Sequence, residues 1–213
     1  MKKKALCSFM WLLLFGVWTA LVCTVDVCAI GPRGSTVGLA TINQFVHNLT
    51  NVHFTLYHIT DWLGLVPIAF ALGFALLGLV QWIKRKHLAR VDYTLFVLGG
   101  FYVLVIAAYV LFEAVVINYR PVLIHGFLEA SYPSSTTLLT LCVMPTAVSQ
   151  LRSRISNTLL RNVLTLLLTA FTVFMVVGRL LSGVHWITDI IGGTLLSAGL
   201  VSAYHAAINI RKI

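Results

Sequence analysis

The sequence predicts an all-α integral membrane protein: a bundle of six transmembrane helices, with an amphipathic helix lying in the membrane interface between the first and the second. Three observations carry this. Hydrophobic residues make up 59% of the 213 residues and charged ones only 10%, against about 45–50% and about 25% in soluble domains. The apolar residues gather in runs near the ~20 residues that a helix needs to cross ~30 Å of hydrocarbon. The basic residues lie in short clusters between those runs. A net charge of +9 on a soluble chain would point to nucleic acid; distributed this way it is a topology signal, and no nucleic-acid partner is expected.

The first run extends from Ala5 to about Ile30, behind Met1-Lys2-Lys3-Lys4. A signal peptide would have an apolar region of ~7–15 residues and a small-residue cleavage site. This run is longer and no Ala-x-Ala site follows it, so it reads as a retained crossing. Further runs cover Trp62 to Ile83, Tyr93 to Ile117, about Ser134 to Val148, about Thr158 to Leu181 and about Trp186 to Ile208. Pro145 removes a backbone hydrogen bond and is expected to kink or shorten the fourth helix near its inner end. Cys7, Cys23, Cys28 and Cys142 fall within apolar runs at no metal-ligand spacing and read as small buried hydrophobes.

Six crossings put both termini on one side. Lys2, Lys3, Lys4, Lys84, Arg85, Lys86, Arg90, Arg152, Arg154, Arg161, Arg211 and Lys212, 12 of the 15 lysines and arginines, share one face. The positive-inside rule makes that face cytoplasmic. Arg33, Arg120 and Arg179 are left on the outer one. The expected location is the cytoplasmic membrane, with residues 1–213 forming a single membrane domain. Within it, residues 1–61 supply the first crossing and the outer interfacial helix, and 62–213 a five-helix core.

The interfacial helix is read from Ile42, Phe45, Leu49, Val52, Leu56, Ile59 and Leu63, which recur at spacings of three and four. Over residues 42–60 this stripe either leads lipid toward a site or lids it, or simply packs as a connector. His47 and His58, with no carboxylate between them, make no case for a metal.

Ionisable residues inside the crossings are costly and mark function. Asp189 and Glu113 are the two carboxylates so placed. In Arg179-Leu-Leu-Ser-Gly-Val-His185-Trp-Ile-Thr-Asp189, His185 and Asp189 are four apart. On one helix they share a face, so the carboxylate can accept the imidazole's second N–H and leave the other nitrogen free as base or nucleophile. Arg179, just across the Ser182-Gly183 turn, offers a guanidinium fork suited to phosphate oxygens. Asn118-Tyr119-Arg120-Pro121 closes the third helix at its outer end. Ser131-Tyr132-Pro133-Ser134-Ser135-Thr136-Thr137 opens the fourth, and a helix N-terminus is an anion site. Three outer junctions therefore converge on one anion.

Arg120-Pro121, then Pro133-Ser134-Ser135-Thr136, then Arg179 with His185 and Asp189, resemble the three signature blocks of the type 2 phosphatidic acid phosphatase superfamily. The resemblance covers roughly residues 113 to 193. It implies that His185 attacks phosphorus to form a phosphohistidine, that Asp189 orients it, and that Arg120, Arg179 and the Ser134-Ser135 helix start bind the phosphate. Such catalysis rests on positioning and charge, with no metal and no cofactor. The implied partners are the bilayer and a phosphorylated lipid, hydrolysed at the outer face. The alternatives are a protein that binds or transports such lipids without turnover, and a phosphotransferase with a hydroxyl acceptor.

The blocks also depart from the family's pattern. Glu113 stands where the family has a lysine, Thr136 where it has the histidine that protonates the leaving group, and Gly178 where a serine usually precedes the third-block arginine. A threonine hydroxyl is too weak an acid to replace an imidazolium, whose help is worth ~100- to 10,000-fold. Glu113 is read either as a donor carboxyl with a pKa raised by burial or, the favoured reading, as an ion-pair partner of Arg120 or Arg179. His125 and Glu129 are weaker donors, because nothing in their spacing aims them inward. A diphosphate has a better leaving group than an alkoxide, which tilts the expected substrate toward lipid diphosphates such as undecaprenyl diphosphate.

Overall fold

In hydrocarbon a backbone must satisfy its own polar groups, which the apolar runs do by forming helices. A computed structural model describes residues 2–210 of the chain. Its α-helices are α1 (Lys2–Thr24), α2 (Ala40–Thr50), α3 (Phe54–Leu63), α4 (Leu65–Arg85), α5 (Tyr93–Ala114), α6 (Ser135–Arg154), α7 (Thr158–Leu181) and α8 (Ile187–Ile208). Arg211 and Lys212, assigned above to the inner face, lie outside the described residues.

Five stretches among the described residues are long and apolar enough to cross a membrane: Lys3–Thr24, Phe54–Arg85, Tyr93–Ala114, Thr158–Leu181 and Ile187–Ile208. The other expected crossing is α6, which is less apolar because it is the helix the others enclose. It packs against α4, α5, α7 and α8. Its Thr137, Thr140, Thr146 and Gln150 are buried by protein. Gln150 donates to the Tyr204 hydroxyl at 2.5 Å, and the Tyr102 and Thr146 hydroxyls lie 3.2 Å apart. Pro145 neither ends nor shortens α6, which runs on to Arg154. Beside the missing N–H, the Thr146 hydroxyl donates to the Cys142 carbonyl at 2.8 Å and the Val143 carbonyl at 2.9 Å.

Lipid gives helices little hydrophobic reason to associate, so close packing and interhelical hydrogen bonds do the work. The α1–α8 contact shows both. The Ser8 hydroxyl donates to the Gly199 carbonyl at 2.8 Å, and a Cβ on Gly199 would lie 2.6 Å from Leu12. Cys142 is buried as expected, but Cys7, Cys23 and Cys28 are exposed on the surface of the bundle. An apolar run in a membrane has a lipid side as well as a packed one, and a thiol is accepted on either.

The first run stops at Thr24 rather than near Ile30, because Asp26 turns the chain with φ of 49°. Its carboxylate accepts the Thr41 N–H at 2.7 Å, which fixes the start of α2. The single helix expected over residues 42–60 is two, α2 and α3, broken at Asn51 (φ 53°). The break is held by the junction of α7 and α8. The His53 N–H donates to the Ser182 carbonyl at 3.0 Å. Gly183 has φ of +67°, and a Cβ there would sit 1.8 Å from the Asn51 carbonyl oxygen. No other residue type fits both demands. The stripe residues Ile42, Phe45, Leu49 and Ile59 face outward, while Asn43, Tyr57 and Thr60 are buried against the bundle.

The two ends of the bundle differ in chemistry. At one end Asp92 accepts from Gln81 at 2.7 Å and from Arg85 at 2.9 Å, and pairs with Arg154 at 3.7 Å. This ties the α4–α5 loop to the end of α6, where the basic clusters collect. The opposite end holds the junctions of α5, α6, α7 and α8 with α2 and α3.

Candidate active site

The segment between α5 and α6 is a small hairpin held by isolated bridges between Tyr119 and Ala130 and between Ile124 and Phe127. Its two-residue turn is His125-Gly126, both at positive φ (49° and 81°), with Ile124 and Phe127 exchanging backbone hydrogen bonds. His125 thus sits exposed at the hairpin tip, and the structure does not bring it to the other candidates. The pairing sets Glu129 opposite Arg120, whose N–H donates to the Glu129 carbonyl at 3.1 Å, and Ser131 opposite Asn118, whose carbonyl accepts the Ser131 N–H at 2.9 Å.

This register settles the partner of Arg120. Its Nε lies 3.1 Å from Glu129 Oε2. Glu113, expected either to be buried or to pair with Arg120 or Arg179, does neither: it is exposed near the end of α5, and no ion pair joins it to either arginine among the described residues. It lines a narrow crevice with Tyr109, Phe112, Tyr132 and Ser135. The apolar run carries the third helix to Ile117, next to Arg120, but α5 ends at Ala114, so helical spacing does not relate Glu113 to Arg120. Glu129, read as aimed nowhere, is brought to Arg120 by the hairpin.

His185 and Asp189 are buried at the start of α8, with 4% and 0% exposure. They do not share a helical face. Trp186 is the N-cap of α8, so His185 precedes the helix, and its Nδ1 lies 3.7 Å from Asp189 Oδ2. The Ser131 hydroxyl stands between them, 3.0 Å from Nδ1 and 2.5 Å from Oδ2. Asp189 also accepts the Trp186 N–H at 2.9 Å and the Asn118 side-chain N–H at 3.4 Å. Its carbonyl accepts the Ser134 N–H at 3.0 Å, which joins the second block to the third. Ser131 and Asn118 are the residues whose roles the motifs did not reveal, since only the hairpin register brings them to Asp189.

Arg179 is 1% exposed. Its Nη1 donates to the Thr60 hydroxyl at 3.3 Å and the Tyr57 carbonyl at 3.5 Å, its guanidinium lies over the Tyr57 ring at 4.9 Å, and Asp61 is 3.7 Å away. All of these partners come from α3. Gly178 follows from the same packing, because a Cβ there would approach the Thr60 methyl to 2.9 Å. From α2, the Asn43 side chain donates to the Thr188 hydroxyl at 3.0 Å and accepts its N–H at 3.3 Å, fixing the first turn of α8.

Several buried polar atoms end at this site without a protein partner: His185 Nε2, Ser134 Oγ, Arg120 Nη1 and Arg179 Nε. Ser134 is the N-cap of α6, yet its hydroxyl makes no capping bond. Ser135 and Thr136 follow in the first turn, partly exposed. Burial pushes the His185 imidazole well below its usual pKa, and the charges of Arg120 and Arg179 push it further. Two buried guanidiniums that repel one another, a neutral imidazole, a free hydroxyl and a helix N-terminus are a set of groups chemically suited to an anion.

The sequence model of the PAP2 superfamily matches residues 67–212. The chain belongs to the PAP2 superfamily. Among curated proteins none matches it. Its fold is similar to that of the transmembrane PAP2-type phosphatidylglycerolphosphate phosphatase from Bacillus subtilis, with a TM-score of 0.62 at 17% identity over 97% of this chain and 96% of that one. The PAP2 match begins inside α4, so the α3 residues that seat Arg179 lie outside it.

This seat carries a prediction. Asp61 is a half-exposed counter-charge 3.7 Å from the buried Arg179 guanidinium. If Arg179 binds phosphate, removing this counter-charge frees the guanidinium for the anion, so Asp61→Asn is expected to tighten binding of inorganic phosphate. Titration calorimetry with phosphate checks it; unchanged or weaker binding contradicts it.

Proposed function

We propose that this PAP2 protein is a lipid phosphatase that removes a phosphate, or cleaves a diphosphate, through a phosphohistidine at His185, at the outer face of the cytoplasmic membrane. The observation that supports this reading best is the buried, unpartnered His185 Nε2 beside the unpartnered Ser134 Oγ, Arg120 Nη1 and Arg179 Nε. Both arginines are near enough for their charges to act on His185, and in-line phosphoryl transfer calls for a nucleophile with a charge clamp beside it. Nε2 forms a bond to phosphorus while the bond to the leaving oxygen breaks. Water then attacks the phosphohistidine, releasing phosphate and restoring the imidazole. Arg120, Arg179 and the start of α6 stabilise the charge on the equatorial oxygens in both steps. The outward orientation is supported by the collection of basic residues at the opposite end of the bundle, which the positive-inside rule puts on the cytoplasmic side.

Thr136, partly exposed in the first turn of α6, brings no imidazole to protonate the leaving group. A lipid diphosphate such as undecaprenyl diphosphate fits this arrangement, because its leaving phosphate needs less help than an alkoxide. The same residue favours a second reading, a protein that binds phosphorylated lipid without turning it over. Phosphate release in lipid nanodiscs separates the two, measured across undecaprenyl diphosphate, phosphatidylglycerol phosphate and phosphatidic acid. The proposal expects release, fastest from the diphosphate; binding without release from any of them supports the second reading.

A further inference from the structure

We propose that Ser131 is a positioning residue that links Asp189 to His185 and holds the imidazole with Nε2 free for attack. The proposal rests on the reading of His185 as nucleophile. Its basis is that the helical spacing of His185 and Asp189 does not deliver a direct hydrogen bond. His185 lies before the first turn of α8, and the 3.7 Å between Nδ1 and Oδ2 is bridged by the Ser131 hydroxyl at 3.0 Å and 2.5 Å.

The directions of these bonds follow from what each group can do. Asp189 receives N–H groups from Trp186 and Asn118, which favour its carboxylate form; a carboxylate only accepts, so the Ser131 hydroxyl spends its one proton on Oδ2. Its lone pair is then left for His185, which must bring the N–H at Nδ1. A neutral imidazole protonated at Nδ1 carries its lone pair on Nε2, the buried nitrogen that has no protein partner. When Nε2 bonds to phosphorus the ring becomes positively charged. The Nδ1–H···Oγ–H···carboxylate chain then stabilises that charge with every proton left in place.

Ser131 is built to hold this position. It is buried, and its N–H is tied to the Asn118 carbonyl at 2.9 Å by the hairpin register. Asn118 also donates its side-chain N–H to the second oxygen of Asp189 at 3.4 Å. One strand of the hairpin thus supplies the bridge and the other steadies the carboxylate.

The test uses the full chain in nanodiscs, as wild type, Ser131→Ala, Ser131→Thr and Ser131→Cys. Two readouts are taken: kcat and KM for phosphate release, and the tautomer of 15N-labelled His185 without substrate. Removing an outer hydrogen-bond partner of a functional imidazole typically costs about 10- to 100-fold, so Ser131→Ala is expected to lower kcat by about that much with KM little changed. It is also expected to shift the ring away from the Nδ1–H form. Ser131→Thr, which keeps a hydroxyl, restores both. A folded Ser131→Ala protein with wild-type kcat and an unchanged Nδ1–H signal overturns the proposal. Where Ser131→Ala does not fold, the near-isosteric Ser131→Cys decides by the same two readouts. A wild type that releases no phosphate overturns the phosphatase reading instead, and the tautomer comparison still decides whether Ser131 sets the ring.

Discussion

His185→Ala is expected to lower kcat/KM for lipid phosphate release by roughly 10,000-fold or more, to the background of the assay, as removing a covalent nucleophile does. The expectation follows from position. The side chain is 1% exposed, Ser131 engages Nδ1, Nε2 has no protein partner, and the charges of Arg120 and Arg179 act on the ring. The protein is expected to stay folded, because the imidazole bonds to the Ser131 hydroxyl, while Asp189 keeps its bonds to Trp186 and Asn118. Phosphate-dependent binding should survive the substitution, since the arginines remain. The pH profile adds a sign. Burial and two neighbouring cations lower the His185 pKa, so the imidazole is neutral and competent down through the usual histidine range. In the free enzyme the acid limb of kcat/KM should therefore lie below ~6.5. A steady-state profile in nanodiscs checks this, and a limb above that value contradicts it.

Arg179→Ala is expected to cost about 100- to 1,000-fold in kcat, the range for removing one preorganised donor to transition-state charge. Arg179→Lys is expected to recover only part of this, because an ammonium is a point charge and cannot span two phosphate oxygens as the guanidinium fork does. A second consequence separates this arginine from Arg120. Arg179 is buried among the Tyr57 ring and carbonyl, the Thr60 hydroxyl and Asp61. Its removal leaves α3 without the group it packs around, so Arg179→Ala should also lower the thermal midpoint. Arg120→Ala mainly frees Glu129, which is already partly exposed. Equal kcat values for the Lys variant and wild type would contradict the fork, and an unchanged midpoint in the Ala variant would contradict the seat.

The bundle was legible because membrane helices advertise themselves by length and apolarity. The fifth run matches α7 at both ends, Thr158 and Leu181. The least legible crossing was α6, whose threonines and Gln150 are satisfied by neighbouring helices and so dilute its apolar signal. At the candidate site, motif spacing singled out His185, Asp189, Arg120, Arg179 and the Ser134-Ser135 helix start. What it missed depends on conformations that carry weak sequence signals. The hairpin at residues 118–131 has only His125-Gly126 as a turn cue, yet its register assigns Glu129 to Arg120 and Ser131 to Asp189. The reading of Glu113 erred by extending α5 past Ala114. The amphipathic stripe showed that residues 42–60 expose apolar side chains on one side. It was silent about the other side, where Asn43 steadies α8 and Tyr57 and Thr60 seat Arg179.

The most direct test of the account is to trap the covalent intermediate. Protein in nanodiscs is mixed with lipid diphosphate, quenched in alkali within the first turnovers, and digested for mass spectrometry under conditions that preserve phosphoramidates. The account predicts a phosphate on the peptide containing His185, alkali-stable and acid-labile, present in wild type and absent from His185→Ala. Robust phosphate release with no phosphohistidine at that peptide, or an equal signal in the alanine variant, would contradict a mechanism through His185.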